Sequence, residues 1–167
     1  MEKTDTVTPD AVSSGGKLFL EDLMEGQKFV SRAFDLSAEQ IQKFASEFDP
    51  QPFHLDDEAA KGTIFGGLAS SGWHVAAITM RLISESVPFA NGIIGAGGEI
   101  SWPRPTRPGD RLTVESEVTK ITPSRSRPDR GIVVLRSATR NQHNEIVQSL
   151  LANLVVLRRQ IVPALAT

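Results

Sequence analysis

Only one segment of this chain reads as a helix that is apolar almost all the way round. Between Ser71 and Ser86, the residues Val75, Ala76, Ile78, Thr79, Leu82 and Ile83 cover most of a helical circumference. A helix of that kind has to be buried. Pro88 sets its end, because a proline removes a donor and clashes with the preceding turn. After Gly92 the pattern changes. IIGAGGEISW, DRLTVESEVTKI, GIVVLRSATRN and EIVQSLLANLVVL are strand-like. Leu112, Val114 and Val118 alternate with Thr113, Glu115 and Glu117, as in a strand with one buried face. A Pro–Gly turn at 107–110, a polar loop at 123–131 and a turn at 141–145 separate these runs. Four consecutive strands, expected to be antiparallel, thus follow one buried helix.

The segment before the long helix adds three smaller elements. Phe29, Val30 and Phe34 predict a strand from Lys28 to Phe34. Ser37 with Gln40 forms a capping box, and Ile41, Phe44, Ala45 and Phe48 recur at helical spacing, so a helix should run to about Phe48. Asp56 opens a short helix that Gly62 should end as a C′ residue. A single long apolar helix is buried on most sides only where a sheet curves around it. The expected fold is therefore α+β, with five antiparallel strands wrapped around one central helix, the hotdog architecture. Its free edge and leftover apolar face favour a homodimer or an assembly of dimers.

A chain of 167 residues, 40% of them hydrophobic, suits one domain. We place it at residues 18–160, between a flexible polar tail at 1–17 and a C-terminal tail at 161–167. The N-terminal segment could instead lie across a partner subunit. A formal charge of −2 offers no basic excess, so a nucleic-acid partner is not expected. No apolar run reaches the length of a membrane span, and the start lacks the apolar stretch of a secretory signal. The chain has no cysteine, which excludes disulfides and thiolate chemistry and points to the cytoplasm.

The polar stretch FDPQPFHLDD, residues 48–57, is a candidate site. Its prolines fix two φ angles and remove two donors, which predicts an extended or turning loop after the helix. Such a loop can bend Asp49 and His54 toward a common point, with Phe48 and Phe53 as apolar anchors. An acid and an imidazole without a nucleophile or a metal suit proton transfer to and from one water. Hydration or dehydration beside a carbonyl needs that chemistry, plus a donor for the oxygen that gains charge. A backbone N–H at the first turn of the long helix can serve, and GGLASSGWH makes Gly72 the best candidate. The plain alternative is that Asp49 is a turn residue and that His54 caps the next helix or pairs with Asp56. Spacing alone does not decide between them.

FASEFDPQPFHLDDEAAKGTIFGGLASSGWH resembles the signature of the MaoC-like dehydratase family, the (R)-specific enoyl-CoA hydratases. SWPRPTRPGDRL resembles the family's stretch after the long helix. The resemblance covers about residues 17–157. It implies a hotdog fold and reversible hydration of trans-2-enoyl thioesters to (R)-3-hydroxyacyl thioesters. The substrate would be a CoA or acyl-carrier thioester, with no further cofactor. The family's catalytic Asp and His carry onto Asp49 and His54, and its oxyanion glycine onto Gly72, with Ser71 beside it in the substrate-binding segment. Three positions depart from the pattern. Gln51 replaces an Asn, Ser71 replaces a His, and a serine later on the helix falls at Met80, next to Thr79. They bear on the substrate more than on the reaction.

His74 reads as a buried, hydrogen-bonded core histidine, and His143 as a solvated turn residue. Three scattered histidines do not suggest a metal site. GIIGAGGE lacks the dinucleotide fingerprint and leads into a strand. Arg104 and Arg107 could meet the phosphates of CoA or simply belong to an exposed turn of mixed charge. Ala76, Ala77, Ile78 and Met80 are candidates for an acyl pocket. Two further readings share the fold. An acyl-CoA thioesterase would place an acid on the long helix, where none precedes Glu85. A non-catalytic acyl-thioester binding protein would tolerate the three departures.

Overall fold

The computed structural model of the chain describes residues 16–159. Most of the expected N-terminal tail, and the C-terminal segment at 161–167, lie outside them. In chain order the elements are β1 (Lys28–Val30), β2 (Phe34–Asp35), α1 (Ala38–Phe48), α2 (Pro52–Leu55), α3 (Asp57–Lys61), α4 (Gly72–Ser86), β3 (Gly95–Ser101), β4 (Arg111–Pro123), β5 (Arg130–Arg140) and β6 (Ile146–Leu157). A short 3-10 turn at Leu20–Asp22 precedes them.

The sheet runs β1-β4-β5-β6-β3, with β2 also paired to β4. Every pairing between these strands is antiparallel. This is the hotdog fold. The period-two pattern of β4 holds: Leu112, Val114, Ser116 and Val118 are buried. Leu112, Val114 and Val118 meet Val133 and Leu135 of β5 and Val147, Leu154 and Val156 of β6 in one core. α4 adds Val75, Ile78, Leu82 and Ile83 to it. Each aliphatic side chain fully buried in this way stabilises the fold by about 1.5–3 kcal/mol. Thr79, also buried, hydrogen-bonds Thr139 of β5 at 2.7 Å and ties the helix to the sheet.

Three sequence expectations need correction. The strand over 28–34 is split. Ser31 N–H donates to the Val114 carbonyl, while Val114 N–H donates to the Ser31 hydroxyl, each at 2.9 Å. A side-chain oxygen has taken the place of a ladder carbonyl, so regular pairing lapses until Phe34. α4 is not buried all round. Trp73 is 62% exposed and Met80 41% exposed, and Ala77 also faces outward. One curved sheet covers one side of a helix, and the other side is left open. Finally, Gly62 sits at the C-cap with φ −80°, a conformation open to other residues, and not in a left-handed C′ position.

The capping box at Ser37 is present in both directions. Gln40 N–H donates to the Ser37 hydroxyl, and Ser37 N–H donates to the Gln40 side-chain oxygen. α1 then ends at Phe48, as expected, with Asp49 as its C-cap.

Candidate active site

Pro52 makes the first correction here. The segment after Asp49 is not loop throughout, because Pro52–Leu55 forms a single helical turn. The proline occupies the first turn, where its missing N–H costs nothing and its φ already suits a helix. Only Asp49, Pro50 and Gln51 remain as a connector, and Gln51 is the N-cap of α2 without a side-chain cap bond. Asp49 and His54 are thus presented by two helix ends. Gln42 of α1 donates to the Leu55 carbonyl at 2.9 Å and locks α1 to α2. Phe53 packs against Phe65, with ring centroids 4.9 Å apart. Phe48 does not anchor the segment, since it is 70% exposed.

The two side chains meet. His54 Nε2 lies 3.4 Å from Asp49 Oδ2. The other ring nitrogen, Nδ1, is 2.7 Å from the Ala69 carbonyl. A carbonyl only accepts, so Nδ1 carries a hydrogen and Nε2 is the nitrogen turned toward the acid. Ala69 N–H in turn donates to the Phe53 carbonyl at 3.2 Å, so the segment before α4 holds α2 from both sides. His54 is buried. It lines a cavity of about 280 Å³ together with Phe65, Ser70, Gly72, Val75 and Trp102.

Gly72 is the first residue of α4, where an N–H has no carbonyl of its own helix to reach. Ser71 is the N-cap, and its hydroxyl accepts from Trp73 N–H at 3.2 Å. The space freed by the missing side chain at Gly72 is not empty. A Cβ there would stand 2.8 Å from the Trp102 indole. Among the expected pocket residues, Ile78 is buried in the core and Met80 is on the open face of α4. Trp102 is the wall that sequence reasoning missed. Its only signal was an aromatic residue within the SWPRP stretch.

Arg107 opens the 107–110 turn, but its half-buried side chain turns inward to the backbone. Its guanidinium donates to the carbonyls of Gly67 at 2.8 Å and Leu68 at 3.2 Å, and to that of Phe65. Asp57 reinforces the same segment by accepting from Leu68 N–H at 2.8 Å. These bonds set the path from α3 to α4 and so carry Ala69 to His54. Arg104 is exposed at the cavity's rim, 3.4 Å from Glu145. Glu85 sits at the far end of α4, roughly 20 Å along the axis from Gly72, and pairs with Arg32 at 2.7 Å and Arg81 at 3.0 Å. Among the described residues no group of three or more His, Cys, Asp or Glu is placed to hold a metal ion. No described helix is long and apolar enough to cross a membrane.

His74 is buried and hydrogen-bonded, as expected. Its Nδ1 is 3.1 Å from the Ser70 hydroxyl, and its ring stacks on Phe44 at 4.6 Å. Burial pushes its imidazole below the ordinary value. The fold therefore prefers the neutral ring, while the unfolded chain takes up a proton below about pH 6.5. The stability that His74 contributes is complete above that pH and is lost as pH falls below it toward the folded value. The urea midpoint of the wild type should thus drop between about pH 7.5 and 5.5 by more than that of His74→Phe. Equal drops would show that His74 plays no part in the acid sensitivity.

The sequence matches the family described as "MaoC like domain" over residues 22–140. The chain belongs to that family. A crystal structure described as the MaoC-like dehydratase from Rhodospirillum rubrum is 61% identical, with a TM-score of 0.85 over 86% of this chain and 99% of that one. The (R)-hydratase from A. caviae, described as involved in PHA biosynthesis, is 28% identical, with a TM-score of 0.67 over 82% of this chain and 98% of that one. The protein YdeM of Bacillus subtilis (strain 168) is 34% identical over 126 residues, 74% of this chain and 87% of its own length. The family membership and the (R)-hydratase likeness support hydratase-type chemistry for this MaoC-like chain.

Proposed function

We propose that this chain catalyses reversible hydration and dehydration between an enoyl and a 3-hydroxyacyl thioester, with Asp49 and His54 sharing one water. The observation that carries this reading is the 3.4 Å approach of His54 Nε2 to Asp49 Oδ2 with Nδ1 already committed to Ala69. In hydration, one of the pair removes a proton from the water. The resulting hydroxide adds to C3, and the other group delivers a proton to C2. Electron density passes to the thioester oxygen in the transition state, and the Gly72 N–H at the head of α4 stabilises it. Dehydration is the same path reversed. The pair and the N–H supply every proton and hydrogen bond this scheme needs, so it involves no cofactor. The acyl carrier is CoA or an acyl carrier protein, and the setting is the cytoplasm. A thioesterase reading is disfavoured, because the acid on α4, Glu85, is at the wrong end of the helix and bound to two arginines.

The working unit in this reading is a homodimer or an assembly of dimers. β3 ends the sheet order and leaves one edge unpaired among the described residues. Trp73, Met80 and Ile94 are large exposed apolar residues on α4 and just before β3. A second copy paired along β3 would satisfy the edge and cover this face. Light scattering at micromolar concentration should give at least twice the mass of one chain. A monomer would remove this part of the reading.

The test of the reaction is loss of enoyl absorbance with short, medium and branched trans-2-enoyl-CoAs. Turnover that vanishes in His54→Ala supports the reading. Turnover unchanged in that variant contradicts the assignment of the pair.

A further inference from the structure

Gln148 carries an unexplained cost. It lies on β6 at 1% exposure, and its Nε2 has no hydrogen-bond partner among the described residues. Its orientation is not arbitrary. Trp102 Nε1 lies 2.8 Å from Gln148 Oε1, and an indole N–H only donates, so the amide oxygen must face it. The orphaned nitrogen then points elsewhere in the core and carries a desolvation penalty. A leucine would satisfy the packing of a buried strand position without that penalty. Among the described residues, the one hydrogen bond of the Gln148 side chain is to a wall of the candidate site.

That wall is tightly placed. The Trp102 indole would come within 2.8 to 3.1 Å of a Cβ on Gly72, and Trp73 meets it edge-on at 5.4 Å. Trp102 is also the partner of Gly72 and His54 in lining the cavity. The cavity has a wet end and a dry end. Arg104, with its side chain 59% exposed, marks the mouth, through which the carrier arm of a thioester has to leave. Val75, fully buried, marks the floor. Trp102, 38% exposed, packs on Gly72, so an acyl chain whose thioester oxygen sits at the Gly72 N–H would lie against the indole.

We propose that Trp102, held by Gln148, is the specificity-determining wall of this site, and that it restricts the chain to short acyl groups. The proposal rests on the reaction proposed above. Trp102 would touch the acyl chain, and Gln148 would act through it as a positioning residue. Removing the wall opens room next to Gly72, where each added methylene in an apolar pocket changes discrimination by about 10- to 200-fold. Removing the latch frees the indole to swing while leaving the ring in place.

The test compares kcat/KM for trans-2-octenoyl-CoA and crotonyl-CoA. In Trp102→Ala the octenoyl-to-crotonyl ratio should rise about tenfold or more. In Gln148→Leu the ratio should also rise, while the urea midpoint changes little, because the orphaned amide nitrogen is removed and the Trp102 N–H, on a residue 38% exposed, can turn to water in place of its lost acceptor. That pairing separates a latch from a structural residue, whose loss would lower the midpoint and leave the ratio alone. An unchanged ratio in an active Trp102→Ala overturns the proposal. If Trp102→Ala does not fold, an unchanged ratio in Gln148→Leu overturns it. If the wild type turns over no enoyl-CoA, the reaction reading fails on its own. Calorimetric binding of saturated butyryl-CoA and octanoyl-CoA then still reads the wall. Weaker octanoyl binding that Trp102→Ala relieves supports it, and equal binding of the two chains in the wild type refutes it.

Discussion

Asp49→Asn should lower turnover on a trans-2-enoyl thioester by about 10²–10⁴-fold, the usual share of a general acid or base. The fold should persist. Asparagine has the shape of aspartate, and Asp49 owes its place to backbone bonds: its N–H donates to Ala45 and its carbonyl accepts from Gln51 N–H. What the variant loses is the ability to take and return a proton. His54→Ala should cost as much in turnover, with an added loss of stability. The buried Ala69 carbonyl would forfeit its 2.7 Å partner, a cost of about 1–3 kcal/mol. Urea midpoints beside the rates separate the two effects. Near-full activity in Asp49→Asn would show that the acid is only the turn residue its position also permits.

Arg107→Ala should destabilise the chain by about 3 kcal/mol and reduce turnover with it. The guanidinium serves three carbonyls, at Phe65, Gly67 and Leu68, from one planar fork. Hydrogen bonds to a charged donor contribute about 1.5–3 kcal/mol each when made, though they do not add in full. The segment the fork holds leads to the Ala69 carbonyl that orients His54. Lysine is a point charge and not a fork, so Arg107→Lys should recover part of the loss and no more. A urea midpoint unchanged in Arg107→Ala would mean that water serves those carbonyls equally well.

The large elements were legible because their causes are local. The α1 cap needs only Ser37 and Gln40. Strand alternation in β4 needs only its own residues, and the long apolar helix follows from its own circumference. Errors arose where a distant partner decides. Ser31 interrupts a strand because its hydroxyl meets Val114 from another element. The open face of α4 depends on how much of a helix one sheet can cover. Pro52 looks like a barrier to helix in the sequence, yet as a first-turn residue it begins one.

The site was legible in part for the same reason. Asp49 and His54 lie on one short stretch, so their meeting could be foreseen. That they come from two helix ends, with the imidazole fixed by Ala69, could not. Trp102 and Gln148 are 46 residues apart, and no local pattern links an indole to a buried amide across the sheet. Arg107 belonged to an evident turn, but the carbonyls it serves are about 40 residues away along the chain.

The central claim is proton transfer by the Asp49–His54 pair on a thioester-bound double bond. The most direct measurement is the loss of enoyl absorbance of crotonyl-CoA with purified wild type and Asp49→Asn, at matched and verified folding. Turnover in the wild type that falls by at least about 10²-fold in the variant is the predicted result. Equal rates in the two proteins, or no turnover in either despite tight binding of the acyl-CoA, would contradict it.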